Sequence, residues 1–433
     1  MLDCNILIYR LYQAVSALAG LALLPYFYWH FNSRGRGESF LPRLGLKLPP
    51  SPPPPGRPRV WVHGVSVGEI LSALPLVKEL KALLPRAALI ITTGTETGQA
   101  VARRHFLPLG ALVCYFPLDT PWAVARYLAY LRPDLYISLD SEIWPNFLVQ
   151  AQRRGVRLAL ANARISDKTF RRFIKFKPYI VNFINLFEII TCGSTLDCRR
   201  LQEIGVPPDK LQFSGNLKVD RLLTGMDPHA SQLLAKLFHL KGEPVFLAAS
   251  THPGEDEPIL KAYELLRAPY PTLLLILAPR HPERTPDLAR LVQSHDLAFQ
   301  LWSNLKTGAE IRVAPVVIID TIGDLFNLYG VADVAFVGGS LVPHGGQNIL
   351  EPAAWGRAPI YGPHIHNFRW AQAILEEAGG GFMVHDVPTL AAAARRLLDD
   401  PRMRRGLGAQ AQAALLRHQG AARRQAEVIV EIL

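Results

Sequence analysis

Short, continuously apolar runs along this chain are followed by longer stretches in which apolar residues return every three or four positions. The first pattern predicts buried strands and the second amphipathic helices. Val60–His63 reads as a strand, followed by a loop and a periodic helix over Glu69–Leu84. Leu89–Thr93 and Thr97–His105 repeat that alternation, and strands at Leu135–Leu139 and Leu158–Ala161 bracket a helix at Phe147–Arg154. The pattern restarts after about Thr224. It predicts strands at Val245–Ala249, Thr272–Ala278, Val316–Ile319 and Val334–Val337, a helix at Glu257–Leu266, and a mostly helical stretch over Thr389–Leu433. This alternation implies an α/β chain with a doubly wound parallel sheet in each half. The expected form is two Rossmann-like halves facing across a cleft, with ligands outside the carboxyl ends of the strands.

The beginning of the chain follows neither pattern. Tyr12–Trp29 is apolar with aromatic residues at its far end, contains Pro25, and is only just long enough to span a bilayer. No small-residue cleavage signature follows it. Arg34, Arg36, Arg43 and Lys47 come next and would keep the remainder on the cytoplasmic side. The segment reads as a membrane-anchoring helix, and the sequence is compatible with spanning or with lying on the surface. Ser51–Pro58 (SPPPPGRP) is a stiff linker. With 433 residues, too many for one ordinary core, the domain expectation is an anchor over 1–50, a first domain over 51–223 and a second over 224–433.

Composition narrows the class. Hydrophobic residues at 49% and charged residues at 19% exclude a disordered chain. A net charge of +11 favours an anionic partner. The basic residues cluster beside the anchor and within an aromatic run, where Arg171, Arg172, Lys175 and Lys177 interleave with Phe170, Phe173, Phe176 and Tyr179. That favours an anionic membrane surface over nucleic acid. The four cysteines form no C-x-x-C pair, so neither a disulfide framework nor a zinc site is expected.

Candidate chemistry gathers at strand ends. Gly338–Pro352 (GGSLVPHGGQNILEP) leaves a strand through a glycine-rich turn, which suits either a phosphate contact or a plain structural turn. Glu351 is placed to accept from ribose hydroxyls. Arg280 and His281 follow another strand, where an arginine can pair with phosphate. Asp320–Asp324 follows a third. In the first half, Glu69 stands where His63–Glu69 enters a helix, as either a general base or a residue facing the helix dipole. Asp140 and Glu142 stand past a strand as a carboxylate pair or as helix caps. Lys218 could stabilise charge on a donor or be a solvated lysine. No two Asp residues stand two apart, so there is no D-x-D signature, and cations and helix amides are left to meet a leaving phosphate.

Taken together these segments resemble the 3-deoxy-D-manno-octulosonic acid (Kdo) transferases of lipopolysaccharide synthesis. The resemblance rests on HGVSVGE, TTGTETG, SEIWPN, NARIS, GNLK, STHPGEDE, APRHPER, VGGSLVPHGGQNILEP and GPHIHNF, which run in order from His63 to Phe368. It implies a GT-B fold and an inverting, metal-independent glycosyltransferase with no cofactor. Kdo would pass from CMP-Kdo to a phosphorylated lipid A precursor at the cytoplasmic face of the bacterial inner membrane. It implies Glu69 as general base, with Asp140 and Lys218 stabilising the transition state. It implies CMP contacts from Pro279, Arg280, Ile322, Gly323, Asp324, Asn348, Ile349, Leu350 and Glu351.

Three positions depart from the family pattern. Asp140 stands where the family has Glu, Gln347 where it has His, and Asp324 closes a G-D-T-x-G-E segment that here reads Ile319-Asp320-Thr321-Ile322-Gly323-Asp324. These departures keep two alternatives in view: a GT-B enzyme with another nucleotide-sugar donor, and a catalytically weak membrane-bound paralogue.

Overall fold

The computed structural model describes residues 2–22, 37–376 and 378–433. They form two compact units, one made of Met1–Arg221 and Gly420–Leu433, the other of Leu222–Gln419. The chain passes from the first unit to the second between Arg221 and Leu222. The last helix, Ala421–Val430, belongs to the first unit and not to the second. The reason is local: Ala421, Ala422, Ala426 and Ile429 are fully or almost fully buried in the same core as Ile70, Ala73 and Val77 of the helix Val67–Leu83. Asp220 fixes the start of that last helix by accepting the amides of Gly420 at 2.7 Å and Ala422 at 2.6 Å.

The first unit is a parallel sheet of β1 (Arg59–Gly64), β2 (Ala88–Thr93), β3 (Leu112–Tyr115), β4 (Leu135–Leu139), β5 (Arg157–Ala163), β6 (Ile189–Cys192) and β7 (Leu211–Phe213). Its order is β3-β2-β1-β4-β5-β6-β7. The chain runs outward from β1 in one direction and then restarts at β4 beside it, so the order reverses between β1 and β4. Both faces are covered: Trp61, Tyr136 and Phe147 pack on one, and Val60, Val62, Leu135 and Ile137 on the other. Continuous apolar strands are what two covered faces require, and each fully buried large side chain contributes about 1.5–3 kcal/mol.

The second unit repeats the architecture with β8 (Val245–Thr251), β9 (Leu274–Pro279), β10 (Phe299–Leu301), β11 (Val316–Ile318), β12 (Val334–Val337), β13 (Pro359–Tyr361) and β14 (Phe382–Met383). The order is β10-β11-β9-β8-β12-β13-β14, again all parallel, and it reverses between β8 and β12. The doubly wound expectation holds in both units.

The N-terminal helix Leu2–Ala22 packs on the first unit. Tyr12 donates to Asp119 at 2.9 Å, Asn146 Nδ2 donates to Ser16 Oγ at 2.9 Å, and the Arg153 guanidinium lies over the Tyr9 ring. On its other side Leu11, Val15, Leu18 and Leu21 are each more than half exposed. No helix among the described residues is long and apolar enough to cross a membrane. The remainder of the apolar run beyond residue 22, with Pro25, Arg34 and Arg36, lies outside the described residues.

Candidate active site

Glu69, Asp140 and Lys218 come together at the carboxyl end of the first sheet, at the reversal between β1 and β4 where open α/β sheets bind ligands. Glu69 stands in the first turn of the helix Val67–Leu83, whose N-cap is Ser66. Its Oε1 accepts the Ser66 hydroxyl and its Oε2 the Val65 amide, both at 2.7 Å, while its own amide donates to Ser66 Oγ at 3.3 Å. This is a capping box shifted by one residue, since the carboxylate takes the amide ahead of the N-cap. The helix-terminal role is thus real, but it leaves each oxygen a second lone pair. Burial raises the Glu69 carboxyl above the ordinary glutamate range, the Asp140 charge adds to this, and the two bonds and Lys218 oppose it.

Asp140 and Asn162 stand at the ends of adjacent strands, with φ of +57° and +55°. Two neighbouring non-glycine residues in the left-handed region are uncommon and concentrate strain at this end of the sheet. They hold one another: Asn162 Nδ2 donates to Asp140 Oδ1 at 2.8 Å, and the Asp140 amide donates to the Ala161 carbonyl at 3.1 Å. Lys218 opens the helix Leu217–Thr224, with Asn216 Oδ1 accepting its amide at 2.9 Å. Burial pulls its ammonium below the ordinary lysine range; Asp140 and Glu69 work against that shift, while Arg164 and Arg221 add to it. Glu142 joins the group. Burial first, then Glu69 and Asp140, push its carboxyl up to about 7. A carboxylate above its usual range beside a half-buried cation is the composition of a proton-accepting site with charge stabilisation.

In the second unit the order reversal between β8 and β12 is filled from within. Glu255, 0% exposed, accepts the amides of Gly339 at 2.6 Å, of Ser340 and Leu341 at 2.9 Å, and of His252 at 2.9 Å. The amides that open the glycine-rich turn are therefore spent on the protein's own carboxylate. Gly338 is needed because a Cβ there would lie 2.5 Å from the Ser250 carbonyl oxygen. Gly345 and Gly346 adopt φ of +92° and +78°, and Asn367 and Ile365 occupy the space beside them. Gly338 serves close chain packing, and the amides of Gly339, Ser340 and Leu341 are held by Glu255.

The remaining predicted contacts divide by side chain. Ile349 and Leu350 are fully buried in the core, leaving only backbone to face a ligand. The helix after Gly346 is a short one, Leu350–Ala354, with Glu351 in its first turn and Asn348 Oδ1 accepting the Leu350 amide at 3.2 Å. Asp324 accepts Trp302 Nε1 at 2.8 Å and Lys306 Nζ at 2.8 Å, so its carboxylate is a structural tie, and the ion pair keeps it below the usual aspartate range despite partial burial. Ile322 beside it is 87% exposed and Gly323 has φ of +112°. Pro279 ends β9 buried, and Arg280 follows it exposed. Near Arg280, His252 stacks on His344 at 4.5 Å, and Gln347 Nε2 lies 3.2 Å from His252 Nε2. Burial, then His344, His281, Arg284 and Arg280, lower the His252 pKa, so this imidazole is neutral at pH 7.

Sequence reasoning assigned no role to Glu255, Asn162 or Gln425. The first two lie within quoted motifs, but their partners are distant in sequence, and position alone does not reveal such bonds.

Residues 38–221 match the family model described as 3-Deoxy-D-manno-octulosonic-acid transferase (kdotransferase). The chain is 35% identical over 384 residues to the 3-deoxy-D-manno-octulosonic acid transferase of Haemophilus influenzae, covering 87% of each. It is 33% identical over 432 residues to that of Bordetella pertussis, covering 96% of this chain and 98% of the relative. A solved glycosyltransferase from Rickettsia africae superposes with a TM-score of 0.60 at 15% identity, over 87% of this chain and 99% of that one, a likeness of fold alone.

Proposed function

The chain belongs to the 3-deoxy-D-manno-octulosonic acid transferase family of glycosyltransferases, and on that premise we propose that it moves Kdo from CMP-Kdo to a phosphorylated lipid A precursor with inversion. The observation that carries this reading is the half-buried Glu69 carboxylate, raised above its ordinary range, in the same cluster as Asp140 and Lys218. Glu69 takes the proton from a sugar hydroxyl of the acceptor, and the oxygen attacks the anomeric carbon of Kdo as the bond to the CMP phosphate breaks. Lys218 stabilises the negative charge that develops, and Asp140 the positive charge at the sugar carbon. Arg280, the backbone of Ile322–Gly323 and the residues Asn348–Glu351 supply the nucleotide contacts of the second unit. Cations and amides, not a metal, meet the departing phosphate in this reading.

We place the reaction at the cytoplasmic face of the inner membrane. The exposed Leu11, Val15, Leu18 and Leu21 support attachment of the N-terminal helix to an anionic lipid surface. The half-exposed Phe176 and Tyr179, beside Arg172 and Lys175, support a second contact with the same surface.

The deciding experiment incubates the full chain with CMP-Kdo and acylated, phosphorylated acceptor and weighs the lipid. A mass gain of one or more Kdo residues is expected, and Glu69→Gln abolishes it while CMP still binds. An unchanged lipid mass with wild-type protein removes the proposed donor–acceptor pair. Near-normal turnover by E69Q removes the base.

A further inference from the structure

Asp140 and the helix that carries Lys218 are held from behind by one buried side chain. Asn162, 1% exposed, donates from Nδ2 to Asp140 Oδ1 at 2.8 Å and accepts the Leu217 amide on Oδ1 at 3.0 Å. A single amide side chain thereby joins an anion to the first turn of the Lys218 helix, acting there as a cap supplied from another strand. Asn162 is itself held. Its backbone N–H donates to Gln425 Oε1 at 3.0 Å and to Thr191 Oγ1 at 3.1 Å.

Gln425, 0% exposed, comes from the last helix, Ala421–Val430. Its Oε1 also accepts the Thr191 hydroxyl at 3.0 Å, and its Nε2 donates to the Gly215 carbonyl at 2.9 Å, three residues before Lys218. We propose that Asn162 and Gln425 are positioning residues of the transfer reaction: Asn162 sets Asp140 and the Lys218 helix in one register, and Gln425 locks Asn162 and Gly215 in place. The inference rests on the reading of Asp140 and Lys218 as stabilising groups.

The chemistry of these two side chains is specific to that task. A residue needed only to fill space would be apolar, because burying amides is costly unless every polar atom is paired. Asparagine donates to a carboxylate and accepts from an amide at once. It is also among the few non-glycine residues that tolerate the left-handed backbone at this position. Aspartate in its place would lose the donation and set a second carboxylate against Asp140.

The test compares Asn162→Gly, Asn162→Asp and Gln425→Glu in the full chain with wild type. Glycine keeps the left-handed backbone while removing the side chain; the other two are isosteric. Steady-state Kdo transfer is measured well below the lowest melting temperature, with the folded fraction fixed by denaturant titration. A displacement of about 1 Å costs on the order of 10²-fold in rate. N162G and N162D are expected to lose about that much kcat with KM for both substrates within about threefold, and Q425E about tenfold. In N162D the acid limb of kcat also moves to higher pH, because the added carboxylate opposes ionisation of Glu69.

Turnover within about threefold of wild type in folded N162G, or losses that vanish after correction for folded fraction, overturns the relay. If N162G does not fold, the isosteric N162D and Q425E decide by the same criteria. Asp140→Asn separates the two levels. Full turnover in D140N removes the role on which the relay depends, whereas a defective D140N beside an intact N162G removes the relay alone.

Discussion

The carboxylate of Glu255 closes on the backbone amide of Gly339 at 2.6 Å, and the two residues are 84 positions apart in sequence. Ser340, Leu341 and His252 donate to the same group. Removing a buried acceptor leaves each donor unpaired at about 1–3 kcal/mol apiece. Glu255→Ala is therefore expected to cost about 4 kcal/mol or more, and Glu255→Gln roughly half that, since one oxygen remains. Urea unfolding measures both. A change in E255A below about 0.5 kcal/mol would mean that water satisfies those amides after truncation.

Lys218 offers a sharper kinetic test. Its ammonium sits beside Asp140 and Glu69, with burial holding its pKa below the ordinary lysine range. Lys218→Ala should lower kcat by about 10²–10³-fold, the scale of losing one preorganised charge-stabilising donor. Affinity for CMP, followed by calorimetry, should change little. An unchanged kcat would reassign Lys218 to structure.

The carboxylates give the pH dependence a definite sign. Glu142 is pushed up to about 7, above its value in an unfolded chain, so the folded protein keeps a proton that the unfolded chain releases. The stabilisation from that proton is complete below the ordinary glutamate range and is lost as pH rises through about 7. Glu142→Gln should flatten this part of the curve of denaturant midpoint against pH. A curve parallel to wild type would show that Glu142 is not the titrating group.

Asp140 acts on Glu69 in the same way. Its charge is among the causes that raise the Glu69 carboxyl, so Asp140→Asn should move the acid limb of kcat/KM to lower pH, whatever it does to the maximum. A limb that stays in place would separate the two carboxylates electrostatically.

The N-terminal helix can be tested apart from catalysis. Leu18 and Leu21, 68% and 57% exposed, make no part of the candidate site. Exchanging both for Asp removes about 1.5–3 kcal/mol of apolar transfer per side chain and adds charge. Partition onto vesicles containing anionic lipid should fall by about tenfold or more, while CMP binding stays intact. Undiminished sedimentation with vesicles would shift the attachment to another surface.

Much of this architecture was legible because both faces of each sheet are covered, which makes strands such as Leu274–Pro279 and Val334–Val337 continuously apolar. Strand ends then pointed to Glu69 and Asp140, which the first unit gathers with Lys218. Strands β13 and β14 escaped notice because three and two residues are too short to show a period, and β13 begins with proline. The glycine-rich turn is ambiguous in sequence for a different reason. A glycine demanded by neighbouring backbone looks in sequence like a glycine demanded by a ligand, and Gly338, which faces the Ser250 carbonyl, is of the first kind. Gln425 had no local signal at all: it is one polar residue in an Ala- and Arg-rich helix, and its partner Asn162 lies 263 positions earlier.

The return of Gly420–Leu433 to the first unit makes Leu222–Gln419 an insertion within it. Synthesis therefore completes the inserted unit before the unit that contains it. The strands of the first sheet leave the ribosome early, yet the helix that covers Ile70, Ala73 and Val77 leaves only after the whole second unit, so its core waits on an open flank through the making of roughly two hundred further residues. A nascent chain stalled before Gly420 would hold a finished second unit and an unfinished first one, with Asn162 lacking Gln425. On this ordering, Asn162 gains the Gln425 oxygen only once Ala421–Val430 has been made.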